Sequence, residues 1–376
     1  MATPTPDSSF EEYRARRYFG SLDGLRALSI GVVILYHSSI TRPLFPRLGF
    51  LGVDVFFEVS GFLIATLLLR EKAVRGRIDI RKFYARRALR ILPAYYFTVF
   101  ALFAAYQLAD HRTLPRWHDI LWVYLIHGAA YLSHELPNLG MAWTLSAEEQ
   151  FYAAWPWIED RARHFWCWWT LLFAANLTVA MGLFDPLLHA IYGGPAPIFF
   201  ACTFIPILLG VALAHLLHAP ETHARLRRAL GHRHAALLLT LGFFGYLGLA
   251  PDDIRGLFRV GAQLLMLAAL GAAVLSPQSS MSPLLDHPWM VRIGQMSYGM
   301  YLWHMVTLAA ARHAISVVGL GGPRLSSTLL VFAVGAPASY LFARLGERFI
   351  ERPFAKAKRR FAAPRVSGHG WDGESD

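Results

Sequence analysis

The chain alternates between long uninterrupted apolar stretches and short polar ones. Apolar runs of about 16 to 25 residues, the length that crosses hydrocarbon, recur along it. They fall roughly at 23–41, 50–69, 91–109, 143–158, 166–184, 197–218, 235–250, 257–275, 293–316 and 325–350. The pattern predicts an all-α fold, a polytopic transmembrane helix bundle of about ten spans. An eleventh stretch, near Ile120 to Leu132, is short and flanked by His111, His118 and His134, and reads as re-entrant or surface-lying. A soluble domain could bury one core, but not ten such runs. Three parts follow: an N-terminal segment over 1–22, the membrane domain over 23–350 and a short basic, then polar, tail over 351–376. The first run follows a polar leader without a convincing cleavage site, so it is expected to remain as the first helix. There is no tandem repeat and no inverted pair of broken helices of the transporter kind.

Composition agrees with the pattern. Hydrophobic residues make up 55% and charged residues 16%, far from the balance of a soluble domain. The net charge of +11 would suit nucleic acid, but its distribution suits anionic lipid headgroups and cytoplasmic loops. With both termini cytoplasmic, the inner segments hold 25 Lys and Arg and the outer segments hold 6. Counting the eleventh stretch as a span would turn the basic segment Arg225 to Arg233 outward, which disfavours it. The expected partner is therefore the lipid bilayer and not nucleic acid, in the plasma (inner) membrane of a bacterium. Cys167 and Cys202 each lie in an apolar run and read as small apolar residues. The tail after Pro353 is expected to be disordered, and with no soluble domain after the last run the chemistry is expected in the membrane unit.

Four constellations carry polar chemistry into these runs. Arg26 and His37 are eleven residues apart in the first run. On a helix that places them on one face, roughly 16 Å apart along the axis. Ionisable groups in hydrocarbon are costly and line cavities or pathways, although a snorkelling arginine and a packed histidine are the plain alternatives. Next, the segment Arg81 to Arg90 runs into Pro93, with Arg87 and Arg90 neighbours at i, i+3. Guanidinium forks suit phosphate oxygens, yet inner loops also carry arginine for topology alone.

The third constellation opens the fourth run: Ser146, Glu148, Glu149 and Gln150. Ser146 and Glu149 fit a capping box, which leaves Glu148 to explain. A carboxylate beside His37 would orient the imidazole and raise its basicity for deprotonating a hydroxyl. The fourth is Tyr301 and His304, at i, i+3 in the ninth run, where aromatic packing is the competing reading. Asp54 and Glu58 sit in a polar turn of the second run, Glu58 deeper. No metal site is expected, because the His-rich stretch 215–234 reads as a solvated basic loop. Nucleophile-elbow, H-E-x-x-H, P-loop, dinucleotide and His-x-x-x-x-Asp signatures are all absent from the sequence.

Taken in order, these residues resemble the acyltransferase type 3 family. The motifs are Leu22-Asp-Gly-Leu-Arg26 with Tyr36-His37-Ser38, Gly52-Val-Asp54 through Ser60-Gly61, and Arg86-Arg87-x-x-Arg90-Ile-x-Pro93. Trp143-Thr-Leu-Ser146-x-Glu148-Glu149-Gln150 and Ser297-Tyr298-Gly-x-Tyr301-Leu-x-His304 complete the set. Members are integral membrane O-acyltransferases that modify cell-surface glycans, lipids and some small molecules. The resemblance implies an acyl-CoA donor, acetyl-CoA by family habit, and a glycan or glycolipid acceptor. It implies His37 as the catalytic histidine, Arg26 paired with it, Arg87 and Arg90 at the donor, and Glu148 in the acidic motif. Glu58 departs from the family pattern, which has an apolar residue there. The expected chemistry is acyl transfer to a hydroxyl, direct or through a covalent relay. A transporter or flippase of a glycolipid or polar metabolite is the alternative, with a non-catalytic scaffold behind it.

Overall fold

The computed structural model describes residues 8–16, 18–38, 49–109, 114–126, 138–192, 204–249, 251, 254, 256–322 and 324–354. Among them every regular element is helical. In chain order these are α1 (Ser8–Ala15), α2 (Gly20–Ser38), α3 (Leu51–Arg75), α4 (Ile80–Ala109), α5 (Leu114–Leu125) and α6 (Ala142–Arg161). Then come α7 (Phe165–Ala180), α8 (Asp185–Tyr192), α9 (Phe204–His218), α10 (Pro220–Leu230) and α11 (Ala235–Gly248). The last are α12 (Gly256–Leu275), α13 (Ser282–Leu285), α14 (Pro288–Val317), α15 (Leu325–Gly346) and a π-helical turn over Glu347–Glu351. Residues 39–41, 197–203 and 250 of three expected spans, 127–132 of the eleventh stretch, Cys202, His111, His134 and the tail from residue 355 lie outside the described residues.

Among the described residues four helices are long and apolar enough to cross a membrane: α3, Ile80–Leu108 of α4, α12 and Leu325–Phe354. Two bent pairs, Ser9–Ala15 with α2 at 67° and α9 with α10 at 108°, raise this to six if each is one span. Helices α6 and α14, of 20 and 30 residues, have the length but carry too many polar side chains to pass by composition. They carry Glu148, Glu149, Tyr301 and His304 of the candidate site. At 12 residues, α5 rises only about 18 Å, too short to span.

The molecule is polar within and greasy without. Fully buried positions include Ser38, Asp54, Glu58, Thr98, Ser146 and His304, while Leu171, Leu238, Leu241 and Leu341 are exposed. Helix α7 buries none of its residues. A soluble protein shows the reverse, and this distribution suits hydrocarbon as the solvent. The chain is a multi-pass membrane protein.

Two close helix crossings organise the interior. A Cβ on Gly61 would lie 2.1 Å from the Ile207 carbonyl oxygen, and one on Gly210 would lie 2.1 Å from that of Glu58. Only glycine lets the α3 and α9 backbones touch on both sides of the crossing, as small residues do in membrane interfaces. Likewise a Cβ on Gly294 would meet the Asp23 carbonyl at 1.9 Å, so α14 lies directly on α2. One apolar cluster, with Phe62, Leu68, Phe151, Trp155, Ile207 and Leu270, fills the space among α3, α6, α9 and α12. A second, with Ile30, Ile34, Tyr95, Met300 and Val331, joins α2, α4, α14 and α15.

Three sequence expectations need correction. The polar turn expected around Asp54 and Glu58 is uninterrupted helix within α3. Asp54 is folded into it as a structural anchor: Arg259 donates to its two oxygens at 3.0 and 2.8 Å, and Gln263 donates at 2.9 Å. The stretch 215–234 is not a solvated loop, because Pro220 opens α10 and turns one face inward. His223 is buried against Phe10 and Tyr13 of α1, and His215 meets Glu159 at 3.0 Å. The capping box is treated with the site below. Asp79 is a true N-cap instead: its Oδ1 accepts from the Lys82 amide at 3.1 Å, which holds the carboxyl below its usual range.

Candidate active site

Helix α2 carries the two ends of the site. Near its start, Asp23 accepts from the Tyr18 hydroxyl and pairs with Arg26 at 3.5 Å. Arg26 lies within electrostatic reach of Arg90, Tyr152 and Glu148, and Arg87 within reach of Tyr152, Arg90, Arg26 and Glu148. The Arg87 guanidinium sits 5.4 Å from the centre of the Tyr152 ring and 5.9 Å from that of Phe83. Three arginines from α2 and α4 thus converge on α6.

Glu148 is the carboxylate at that convergence. Ser60 donates to its Oε1 at 2.7 Å and Tyr152 to its Oε2 at 3.2 Å. Its partners are therefore α3, its own helix and the arginines, and the imidazole of His37 is not among them. Glu149 stands within reach of Glu148 and Arg87, and its neighbour Tyr298 donates to the Ile91 carbonyl at 3.1 Å. The capping box does not form: α6 already begins at Ala142, and the Ser146 hydroxyl turns back on the Ala142 carbonyl at 3.3 Å. Helix residues four apart meet in this way, so Ser146 lies too far inside α6 to cap it.

The other end of α2 meets α14. The rings of His37 and His304 lie 5.0 Å apart, crossing at 60°. His37 Nδ1 is 3.0 Å from the Val33 carbonyl, and His304 Nδ1 is 2.6 Å from that of Tyr301. A carbonyl only accepts, so both Nδ1 atoms carry a proton, and in the neutral rings both Nε2 atoms present lone pairs. His304 Nε2 is buried without a hydrogen-bond partner among the described residues. Behind it the Tyr301 hydroxyl pairs with the Thr144 hydroxyl at 2.8 Å and donates to the Met141 carbonyl at 3.3 Å. Arg312, eight residues or about two turns further along α14, donates to the His37 carbonyl at 2.8 Å.

The nine sequence candidates thus form two groups and one outlier. Arg26, Arg87, Arg90, Glu148 and Glu149 share one end, while His37, Tyr301 and His304 share the other. Glu58 stands apart, one helical turn from Asp54, and both its oxygens are buried without a hydrogen-bond partner among the described residues. Sequence reasoning missed Ser60, Tyr152, Thr144 and Arg312. Ser60 and Thr144 lie within the motifs given above, but only the crossing of α3 and α6 shows that Ser60 and Tyr152 hold Glu148. Arg312 had a visible signal, a lone arginine in an apolar run eight residues after His304. Among the described residues no group of three or more His, Cys, Asp or Glu is placed to hold a metal ion.

With the guanidinium cluster and the two imidazoles located at opposite ends of α2, comparison with known sequences adds an independent observation. Residues 19–344 fit the profile of the type 3 acyltransferases, described as an acyltransferase domain. The chain belongs to this family. It is 28% identical to a Staphylococcus aureus (strain COL) protein named "Putative O-acetyltransferase", over 92% of this chain and 59% of that one. It is 27% identical to the peptidoglycan O-acetyltransferase OatA of Listeria monocytogenes, over 91% of this chain and 56% of that one. A Bacillus subtilis protein named "Putative peptidoglycan O-acetyltransferase YrhL" is 28% identical over 96% of this chain and 58% of its own. The chain therefore spans little more than half the length of these relatives. No solved structure matches it.

Proposed function

We propose that this type 3 acyltransferase moves an acyl group, acetyl in the first instance, from acyl-CoA to a hydroxyl of a cell-envelope glycan or glycolipid. The observation that carries this reading is the polarity of α2, with three guanidiniums gathered around one end and a free imidazole lone pair at the other. Phosphates of the donor dock against Arg87 and Arg90, with Arg26 beside them, and the pantetheine arm runs along α2 towards His37. His37 Nε2 takes the proton of the acceptor hydroxyl as its oxygen attacks the thioester carbonyl. The C–S bond breaks, and the imidazolium returns the proton to the departing thiolate. His304 holds the same hydroxyl, or a water, through its free Nε2. Glu148 balances the arginine cluster.

In the membrane we place about ten spans with both termini cytoplasmic, in a bacterial inner membrane, on the charge distribution of the loops. The arginine end then faces the cytoplasmic donor and the His37 end faces the envelope. The bilayer and the acceptor are its partners, and nucleic acid is not.

The test uses protein in lipid nanodiscs with acetyl-CoA labelled in the acetyl group. CoA-thiol release and label on a panel of glycans and glycolipids are expected, and both vanish in folded His37→Ala. Arg87→Ala and Arg90→Ala are expected to raise the KM for donor more than they lower kcat. Full activity of His37→Ala, or absence of donor turnover with solute movement instead, would overturn the reading.

A further inference from the structure

At the His37 end a second feature lies outside the machinery so far described. A cavity of about 240 Å³ opens between the end of α14 and the start of α15. Arg312, Ser316, Gly321, Gly322 and Ser327 line it, over a floor of Ile315 and Val331. It is smaller than the roughly 300–1,000 Å³ of sites for drug-sized ligands, so it suits one sugar ring or one charged substituent.

Arg312 is the charged group of this cavity. It is half-buried and spends one N–H on the His37 carbonyl, and no carboxylate pairs with it among the described residues. Four further guanidinium N–H donors remain. The hydroxyls of Ser316 and Ser327 donate to the His313 and Leu320 carbonyls, which keeps their protons out of the cavity. At the end of α14 the carbonyls of Ala314, Ile315 and Ser316 are capped by the amides of Val318, Leu320 and Gly319. Their negative ends are thereby quenched. Helix α15 starts without a side-chain cap, so its first amides add positive potential on the other wall.

We infer that this cavity is a subsite for an anionic group of the acceptor, a carboxylate or a phosphate, gripped by Arg312. The inference rests on the proposed transferase reading, because it is the link from Arg312 to His37 that places the anion beside the base. The site then selects acceptors with a negative charge near the hydroxyl to be acylated. Filling it also fixes the carbonyl end of α2 on which His37 sits.

The probe is an oligo-uronate compared with its methyl ester, the same sugar without the charge. Binding is read as protection of Arg312 from phenylglyoxal by peptide mass spectrometry, in phosphatidylcholine nanodiscs and in nanodiscs with added phosphatidylglycerol. Acyl transfer to the two sugars is measured alongside. The acid is expected to protect Arg312 and to be preferred over the ester by about tenfold or more, as a charge-assisted contact provides. In the acyl-transfer assay Arg312→Gln is expected to use acid and ester alike, and Arg312→Lys to keep part of the preference. Equal binding of acid and ester by the parent protein would overturn the proposal. So would protection that follows the phosphatidylglycerol content and ignores the sugar, since Arg312 would then be an anchor for lipid phosphate. Because binding is read without turnover, acid-selective protection with no acyl transfer would refute the transferase reading while leaving the subsite standing.

Discussion

Replacing Arg259 with Gln tests how the interior tolerates charge. Arg259 grips Asp54 with Nε at 3.0 Å and Nη2 at 2.8 Å, and the two side chains are 14% and 1% exposed. In Arg259→Gln the carboxylate keeps the Gln263 amide at 2.9 Å and loses its counter-charge. Breaking a buried pair from one side costs about 3–5 kcal/mol, because the remaining charge has no solvent. Hydrogen bonds to charged groups contribute about 1.5–3 kcal/mol each, so losing two is consistent with that range. Adding Asp54→Asn removes the stranded charge and leaves an amide that Gln263 can still meet. The double variant should recover much of the loss, with a coupling energy above about 2 kcal/mol. Unfolding in mixed micelles, followed through the fluorescence of the 11 tryptophans, measures all four corners of the cycle. A single variant within about 1 kcal/mol of the parent, or losses that simply add, would refute the reasoning.

Three other substitutions probe different parts of the bundle. Ser60→Ala removes the 2.7 Å bond to Glu148 and should lower kcat/KM about 10-fold or more at unchanged protein level; an unchanged rate would show that Glu148 needs no anchoring. Glu58→Leu should stabilise the fold by about 1–3 kcal/mol, since it removes a buried carboxyl without a partner among the described residues. A stable variant without activity would instead assign Glu58 to the chemistry. Gly210→Ala should cost about 1–3 kcal/mol in the same unfolding assay, because its Cβ would lie 2.1 Å from the Glu58 carbonyl; no loss would mean the α3–α9 crossing is loose.

The order of helices was legible in the sequence because burial in hydrocarbon demands long apolar runs, and α2, α3, α12 and α15 fall on four of them. Their polarity was less legible. Helices α6 and α14 look weak by composition because their polar residues point into the bundle, and only neighbours reveal which way a side chain points. The same limit applies to the site. The Arg26–His37 spacing fixed a shared face and a separation, since both ride on one helix. The Glu148–Ser60 bond joins residues 88 apart and depends on where α3 crosses α6. The capping-box reading of Ser146 and Glu149 failed for a local reason: the helix begins one turn earlier than the first polar residues suggest. Asp54 looked like chemistry and serves as structure, because its arginine partner is 205 residues away.

The rod that joins the two ends of the site has a consequence for how the chain can change. Arg26 and His37 keep their phase only because eleven residues make just over three whole turns. One residue inserted between them would swing His37 about 100° away from the α14 imidazole, while leaving Arg26 where it is. Three or four would restore the direction but lengthen the span by about 5 Å, one step of the helical pitch. Helix α2 is thus a ruler with coarse graduations. Loops can drift by single residues, but the distance this helix sets can change only a turn at a time.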